Sequence, residues 1–111
     1  MAGKFELKVA KNGDYHFNLL ASNGQIIMSS EMYKSKASAE NGIASIKKNG
    51  GSDANFERLV SSNGKPYFVL KAANHQVIGQ SQMYESEASR DNGIASVMKN
   101  APDAETVDMT A

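Results

Sequence analysis

Hydrophobic and polar residues alternate along two short stretches near the start of the chain, over residues 5–9 and 17–21. A third β-favouring run follows at 25–30. An alternation with a period of two is typical of strands that bury one face, so the pattern predicts three strands. Turn signals separate them at Asn12-Gly13 and Ser22-Asn23-Gly24, because Asn and Gly tolerate positive φ.

The segment after the third strand has the pattern of a helix, from about Ser35 to about Lys48. Ser35 is a good N-cap residue, and Asn49-Gly50 is expected to end the helix in the left-handed conformation. Gly42 lies in mid-helix, where Gly costs about 1 kcal/mol relative to Ala. Small residues share its arc, so we expect this arc to pack closely against the sheet or another helix. Asn41, and Asn92 at the matching position of a second helix, should then be buried and hydrogen-bonded.

The whole pattern repeats once, 51 residues later. Residues 5–49 align with residues 56–100 without an insertion, and 24 of the 45 positions are identical. The longest similar stretches are MYKSKASAENGIASIKKN from Met32 and MYESEASRDNGIASVMKN from Met83. Two units are expected to close on each other about a pseudo-twofold axis, because a solenoid generally needs three or more units.

A third copy of the first strand is predicted near the end of the chain. Phe5-Glu6-Leu7 becomes Phe56-Glu57-Arg58 and then, another 51 residues on, Val107-Asp108-Met109. We therefore predict an α+β fold of two tandem units of three strands and a helix. The units span residues 1–53 and 54–111, the second includes the C-terminal strand, and together they form one structural domain with both helices on one face of the sheet.

The composition is that of an ordinary globular domain, with 41% of the 111 residues apolar and 22% charged. Twelve basic residues balance twelve acidic ones, so neither nucleic acid nor an anionic membrane is an expected partner. No run of eighteen apolar residues occurs and the first residues lack the apolar region of a signal peptide, so we expect a cytoplasmic location. The absence of Cys excludes disulfides, thiolate catalysis and cysteine-bound metal.

The residue types offer little support for catalysis. The two histidines are at non-equivalent positions, and neither has a spacing that places two ligands on one metal. His16 is aligned with Tyr67, and His75 replaces Gly24, which leaves the type of the second turn open. The sequence contains no GxSxG, P-loop or GxGxxG motif. We therefore predict no catalytic residue, no metal and no cofactor.

The two units differ in charge, because the first carries a net charge of +2 and the second −2. The contrast is concentrated at the helix starts, where Lys34 and Lys36 become Glu85 and Glu87. If the pseudo-twofold axis brings these starts together, the lysines face the glutamates. The alternative is that the charges have drifted on a solvated face.

Both helices carry one motif, NGIASIKKN at Asn41 and NGIASVMKN at Asn92. In this motif the chain resembles the YegP-like family, bacterial proteins built from one or two copies of a short domain with an NGI-x-S-V-x-x-N helix. The resemblance covers residues 5–109, and Ile46 stands where the motif usually has Val. It implies a β3-α-β unit, with two units sharing one antiparallel sheet by exchanging the strands that follow the helices. The family is functionally uncharacterised, so the resemblance implies a fold and no catalytic residue.

The open face of the predicted sheet is the first candidate for function. Its residues are apolar and differ between the two units, and exposed apolar patches often mark interaction surfaces. Our first hypothesis is therefore a non-catalytic protein-interaction or binding module, a monomer whose partner is a protein or a small molecule. The candidate surface consists of Leu20, Ile26, Met28, Tyr67, Val69 and Val77.

The interface between the two units is the second candidate. Tyr33 and Tyr84 lie just before the helices, where they either bind a ligand through the ring or hydroxyl, or pack the corner between strand and helix. With Asn41 and Asn92 they would form an inter-repeat pocket. The alternative hypothesis is therefore a small-ligand binder or an enzyme with its site at this interface.

Overall fold

The computed structural model describes residues 3–110, which form one sheet with two helices packed on one of its faces. The strands are β1 (Lys4–Val9), β2 (Tyr15–Leu20), β3 (Ile26–Ser29), β4 (Phe56–Val60), β5 (Pro66–Lys71), β6 (Val77–Gln80) and β7 (Glu105–Asp108). The helices are α1 (Lys36–Asn49) and α2 (Glu87–Asn100), and short 3-10 helices follow at Asp53–Asn55 and Ala101–Asp103. The predicted α+β class, with two repeats of three strands and a helix, is confirmed.

The sheet has the strand order β4-β5-β6-β3-β2-β1-β7. The predicted third copy of the first strand forms β7, which returns from the second unit to pair with β1. All neighbouring strands are antiparallel except this pair, in which Phe5 lies opposite Thr106 and Leu7 opposite Asp108. The expectation of a fully antiparallel sheet is therefore wrong for β7. The pseudo-twofold rotation relates β1 to β4, and a second rotation relates β4 to the third copy, β7. Two such rotations restore the original direction, so β7 runs parallel to β1 and lies beside it.

A pseudo-twofold axis passes through the centre of the sheet. Strands β3 and β6 share a single register pair, Ser29 opposite Gln80, and these residues are equivalent positions of the two units. On the helix side, Gly50 and Ala101 are also equivalent, and a Cβ atom at Gly50 would lie 3.2 Å from that of Ala101. The C-terminal ends of the helices therefore meet near the axis.

The hydrophobic core lies between the helices and the sheet. Phe5 and Phe17 pack edge to face with 5.8 Å between ring centroids, and Phe56 and Phe68 do the same at 5.5 Å. Each helix also crosses to the other unit, because α1 contacts β5 and β6 and α2 contacts β3. The helices therefore help to join the two halves of the sheet, which in residues 3–110 are connected directly only by the single register pair of β3 and β6. The largest fully buried side chains are Phe5, Phe17, Phe68, Leu7, Leu19, Met28, Ile46, Leu70, Ile94 and Val97.

The helix starts follow the sequence signals, whereas the end of α1 does not. Ser35 caps α1 by accepting a hydrogen bond at 3.1 Å from the backbone N–H of Ser38, and Ser86 caps α2 in the same way. The expected left-handed end at Gly50 is wrong, because this residue has φ −72° and its N–H bonds to the carbonyl of Ile46. A Cβ atom at this position would lie 2.7 Å from the carbonyl oxygen of Ile46 and 3.2 Å from the Cβ atom of Ala101, and this crowding favours Gly.

The second turn of each unit has the same left-handed conformation. Gly24 has φ 86° and its equivalent His75 has φ 68°. In both turns the left-handed residue donates its N–H to the carbonyl three positions before it, Ala21 or Ala72. Replacement of Gly by His has therefore preserved the turn, at the cost of a conformation that L-residues disfavour.

The charged residues at the helix starts do not face each other. Lys36 binds the carboxylate of Asp108 on β7. The Nζ atom of Lys34 lies 3.5 Å from Oδ1 of Asp14, and the Nζ atom of Lys65 lies 2.7 Å from Oε1 of Glu85. The idea that lysines of one helix face glutamates of the other is wrong, because the axis brings the C-terminal ends together and leaves the starts apart. Lys34 and Lys65 each pair with an acidic residue of their own unit, and Lys36 pairs with β7, the strand that docks on the first unit.

Candidate functional site

A groove of about 370 Å³ lies at the centre of the sheet, where β3 meets β6. Two exposed aliphatic side chains line it, Ile26 with 46% and Val77 with 41% of its surface accessible. They are equivalent residues, so the groove lies across the pseudo-twofold axis. Its other lining residues are Ser29, Ser30, Glu31, Ile78, Gly79, Gln80, Ser81 and Gln82.

The groove is on the face of the sheet away from the helices. Residues directly opposite on antiparallel strands point to the same face, and Ile26 lies opposite Leu20. Leu20 points away from its neighbour Leu19, which is buried in the core beneath the helices. The groove thus lies where the open face crosses the junction of the two repeats, and it contains no residue of the inter-repeat pocket proposed from the sequence.

The predicted open-face surface is divided between the groove and its surroundings. Ile26 and Val77 line the groove, whereas Leu20 and Val69 are only 7% and 5% exposed. Tyr67 is half-buried on the same face as Val69, two residues along β5. Leu20 and Val69 are absent from the groove lining and present little of their own area to a partner.

Met28 does not belong to the open face. It is 1% exposed and lies in the core between the sheet and the helices. The register of β2 and β3 shifts between Leu19 and Leu20, so Leu19 pairs with Met28 while Leu20 pairs with Ile26. A bulge of this kind adds a residue and breaks strict alternation, and it places both Ile27 and Met28 in the core. The prediction for Met28 was wrong for this reason.

Tyr33 and Tyr84 pack the corners between strand and helix. The ring of Tyr33 stacks on Phe17 at 6.1 Å between centroids with an interplanar angle of 11°. A Cβ atom at Gly42 would lie 2.9 Å from its Cζ atom, and at Gly93 a Cβ would lie 2.8 Å from Cζ of Tyr84. The mid-helix glycines are therefore explained by the two tyrosine rings beneath them. Burial raises the pKa of both hydroxyls above their ordinary value.

Asn41 and Asn92 are exposed, contrary to the expectation that they are buried. Gly42 faces the tyrosine, so the preceding residue points outward on the helix. Asn41 lines a shallow groove beside Ala73-Asn74 of the second unit, and Asn92 lines the matching groove beside Ser22-Asn23 of the first. The two asparagines are thus at helix–turn contacts between the units, in separate grooves.

The proposed inter-repeat pocket is not formed as one cavity. Each of the grooves beside Asn41 and Asn92 lacks the tyrosine of either unit among its lining residues. Within residues 3–110, no group of three His, Asp or Glu side chains is arranged to hold a metal ion. Neither helix described by the structure is long and apolar enough to cross a bilayer.

The polar residues of the central groove were missed by the sequence analysis. Ser29 and Gln80 are exposed, and so are Glu31 and Gln82 at the same junction. The signal that could have found them is that both equivalent pairs differ between the units, as the apolar candidates do. Their meeting across the axis depends on the pairing of β3 with β6, which the sequence does not predict.

Comparison with known proteins agrees with this architecture. The family model described as "Domain of unknown function (DUF1508)" matches twice, at residues 10–57 and 61–108. The chain belongs to the DUF1508 family. Both matches contain the last two strands of a unit and its helix; the first match ends at the start of β4, and the second includes all of β7. The resemblance drawn from the NGI motif is confirmed.

Relatives in this family share the fold over almost the entire chain. A UPF0339 protein of Acinetobacter baylyi is 61% identical over 99% of both chains. The UPF0339 protein YegP of Yersinia pestis is 58% identical over 97% of this chain and 96% of its own. The solution NMR structure of yegP from E. coli, titled a protein of unknown function, superposes with a TM-score of 0.94 at 50% identity. It covers 100% of this chain and 96% of its own.

Proposed function

We propose that this protein is a non-catalytic binding module, and that the groove between β3 and β6 binds a short apolar segment of a protein partner. The observation that carries the proposal is the pair Ile26 and Val77, two aliphatic side chains more than two-fifths exposed in the lining of one concave site. Interfaces between proteins typically combine buried apolar side chains with polar groups that form hydrogen bonds.

The polar lining residues of the groove favour a peptide over other ligands. Ser29, Gln80 and Gln82 offer hydroxyl and amide groups that can bind the backbone of an extended segment. Glu31 is the charged residue of the lining, and it forms no ion pair among residues 3–110. The segment is therefore expected to carry one or two aliphatic side chains, with a neutral or basic residue beside them.

The volume of the groove is consistent with such a segment. About 370 Å³ is near the lower end of the range for ligand sites, and it holds a few side chains rather than a large cofactor. The groove also crosses the pseudo-twofold axis, yet its two halves differ: Ser29 and Glu31 stand on one side, Gln80 and Gln82 on the other. A segment can therefore bind in one preferred direction.

The proposal is tested by selection from a displayed library of random peptides against the purified protein. The selected peptides are expected to share an aliphatic residue, and their addition should shift the NMR signals of Ile26 and Val77. The double variant Ile26→Glu/Val77→Glu should lose binding while keeping its circular dichroism spectrum, because both side chains are exposed. Val69 is unsuitable for this test, because a charge at a site 5% exposed would threaten the fold.

The matched control is Met32→Glu, which charges an apolar side chain that is 53% exposed and outside the groove. This variant should bind the selected peptides as the unchanged protein does. Peptides that bind the double variant equally well would contradict the proposed site. If no peptide is selected but small apolar fragments shift the signals of Ile26 and Val77, the partner class is wrong and a small-ligand site is favoured.

A further inference from the structure

The outer edge of β4 has no strand paired with it in residues 3–110, whereas the equivalent edge of β1 is covered by β7. The two strands occupy the same place in the repeat. The difference is visible in burial, because Leu7 on β1 is 0% exposed while the side chain of its equivalent Arg58 is 38% exposed. Val60, near the end of β4, is 63% exposed.

The backbone of β4 is oriented to accept another strand. The N–H of Phe68 on β5 donates a hydrogen bond to Oγ of Ser81 at 3.0 Å, and its C=O accepts one from the N–H of Ser81 at 2.9 Å. Both backbone groups of Phe68 therefore point away from β4. Arg58 lies directly opposite Phe68, so its own N–H and C=O point away from β5 and toward the outer edge. On β1 the matching carbonyl, that of Leu7, accepts a hydrogen bond at 2.9 Å from the N–H of Met109 as the chain leaves β7.

The charges beside the two edges are opposite. At the β1 edge, Lys36 on α1 binds Asp108 of the docked strand. At the β4 edge, Glu87 takes the place of Lys36, and its side chain is 81% exposed. Together with Asp53 and Asp91, Glu87 gives this edge three carboxylates against the two cations Arg58 and Arg90. A Lys or Arg at the position of Asp108 would therefore complement the net negative charge of this edge, whereas an aspartate there would increase it.

Two arginines lie on the helix side of this edge. The guanidinium of Arg58 has one nitrogen 3.0 Å from a carboxylate oxygen of Asp53 and another 3.0 Å from one of Asp91. The guanidinium of Arg90 lies 3.2 Å from a carboxylate oxygen of Asp91 and 3.6 Å from one of Glu87. Inward-pointing charges are a common device by which edge strands avoid indiscriminate pairing. These arginines leave the outward backbone groups of β4 in place, so they restrict which strand can pair without closing the edge.

We propose that the outer edge of β4 binds, in the parallel direction, an extended segment of a partner protein that carries Lys or Arg where β7 carries Asp108. This binding mode is addition of a strand to a sheet edge. The site is separate from the central groove, because β4 is at one end of the sheet and β3 and β6 are at its middle. A second copy of this chain is a poor occupant, because its β7 is already paired with its own β1 and would add Asp108 to an edge that is net negative.

The test uses two peptides with blocked ends, copied from residues 104–110 of this chain. One has the natural sequence AETVDMT, and the other carries the change Asp108→Lys. The lysine peptide is added to the full-length, isotope-labelled protein at low salt. It should shift the backbone amide signals of Phe56–Val60 and of Glu87. The natural peptide should bind at least about threefold more weakly, since exposed ion pairs are individually modest.

A charge reversal on the protein provides the matched control. Glu87→Lys restores the residue type found at Lys36, so it should reverse the preference and favour the natural peptide. The groove variant Ile26→Glu/Val77→Glu should bind the lysine peptide unchanged, which separates this site from the proposed function. Three outcomes would overturn the proposal: no shift along β4 with either peptide, shifts along β1 instead, or equal binding of both peptides regardless of residue 87.

Discussion

Tyr33 lies so close beneath Gly42 that a Cβ atom on the helix would come within 2.9 Å of the tyrosine Cζ atom. The same relationship holds between Tyr84 and Gly93 in the second unit. Each glycine weakens its helix, and each tyrosine ring stacks on a phenylalanine of the sheet, Phe17 or Phe68. The NGI motif is thus explained by packing, because the ring occupies the space that a larger helix residue would need.

Gly42→Ala is expected to destabilise the protein although alanine favours helix. Overpacking typically costs about 1–3 kcal/mol, and the gain in helix propensity is about 1 kcal/mol, so we expect a net loss of about 1 kcal/mol in the free energy of unfolding. Urea denaturation measures it. Asn41→Ala, at the exposed neighbouring position, should show no loss. A Gly42→Ala variant more stable than the natural protein would show that the ring can move aside.

Met28 and Ile26 should respond differently to truncation, although they are two residues apart on one strand. Met28→Ala leaves a cavity in the core and should lower the free energy of unfolding by about 2–5 kcal/mol. Ile26→Ala removes an exposed side chain and should change it by less than about 1 kcal/mol. Denaturation of both variants under the same conditions makes the comparison. Equal losses would contradict the bulge that turns Met28 into the core.

Acid should release β7 from the edge of β1 before the rest of the sheet unfolds. The hydrogen bonds from Lys36 and Thr110 hold the pKa of Asp108 well below its ordinary value of 3.8. A lowered carboxyl pKa stabilises the fold above the unfolded pKa, and this contribution is lost as the pH falls below about 4. Hydrogen exchange of the Met109 amide, which bonds to Leu7, should therefore accelerate relative to core amides in this range.

The Asp108→Asn variant is the control for this acid effect. It removes the titrating carboxyl, so exchange at Met109 should be faster at neutral pH and lose its extra dependence on acid. An unchanged acid dependence in the variant would assign the effect to another carboxylate. At alkaline pH the lysine of this ion pair titrates. The hydrogen bond to Asp108 raises the pKa of Lys36 above the ordinary value of 10.5, so the ion pair should persist to that pH and weaken only above it.

The left-handed residues of the second turns should also differ in their response to substitution. His75→Gly relieves a conformation that L-residues disfavour and should stabilise the protein by about 0.5 kcal/mol, after the entropy cost of glycine. Gly24→Ala introduces the same strain and should destabilise it by about 1 kcal/mol. Thermal unfolding of the two variants measures both effects. A loss of stability on His75→Gly would indicate that the imidazole makes a stabilising contact.

Local signals in the sequence determined much of this fold. The alternation of apolar and polar residues in the strands, the serine N-caps and the two-unit repeat could all be predicted. Each depends on residues a few positions apart or on comparison of the chain with itself. The third copy of the first strand was predicted from Val107-Asp108-Met109 alone. The open face was also proposed as a candidate region, together with Ile26 and Val77.

Contacts between distant residues decided the rest. The bulge beside Leu20 turned Met28 into the core, and the tyrosine beneath Gly42 turned Asn41 outward. The parallel docking of β7 gave Lys36 a partner that the repeat alone could not predict. The groove at Ser29 and Gln80 likewise exists only because two equivalent strands meet across the axis. Sequence periodicity specifies which side of a strand is apolar, but which strands meet, and what covers them, is set by packing across the whole domain.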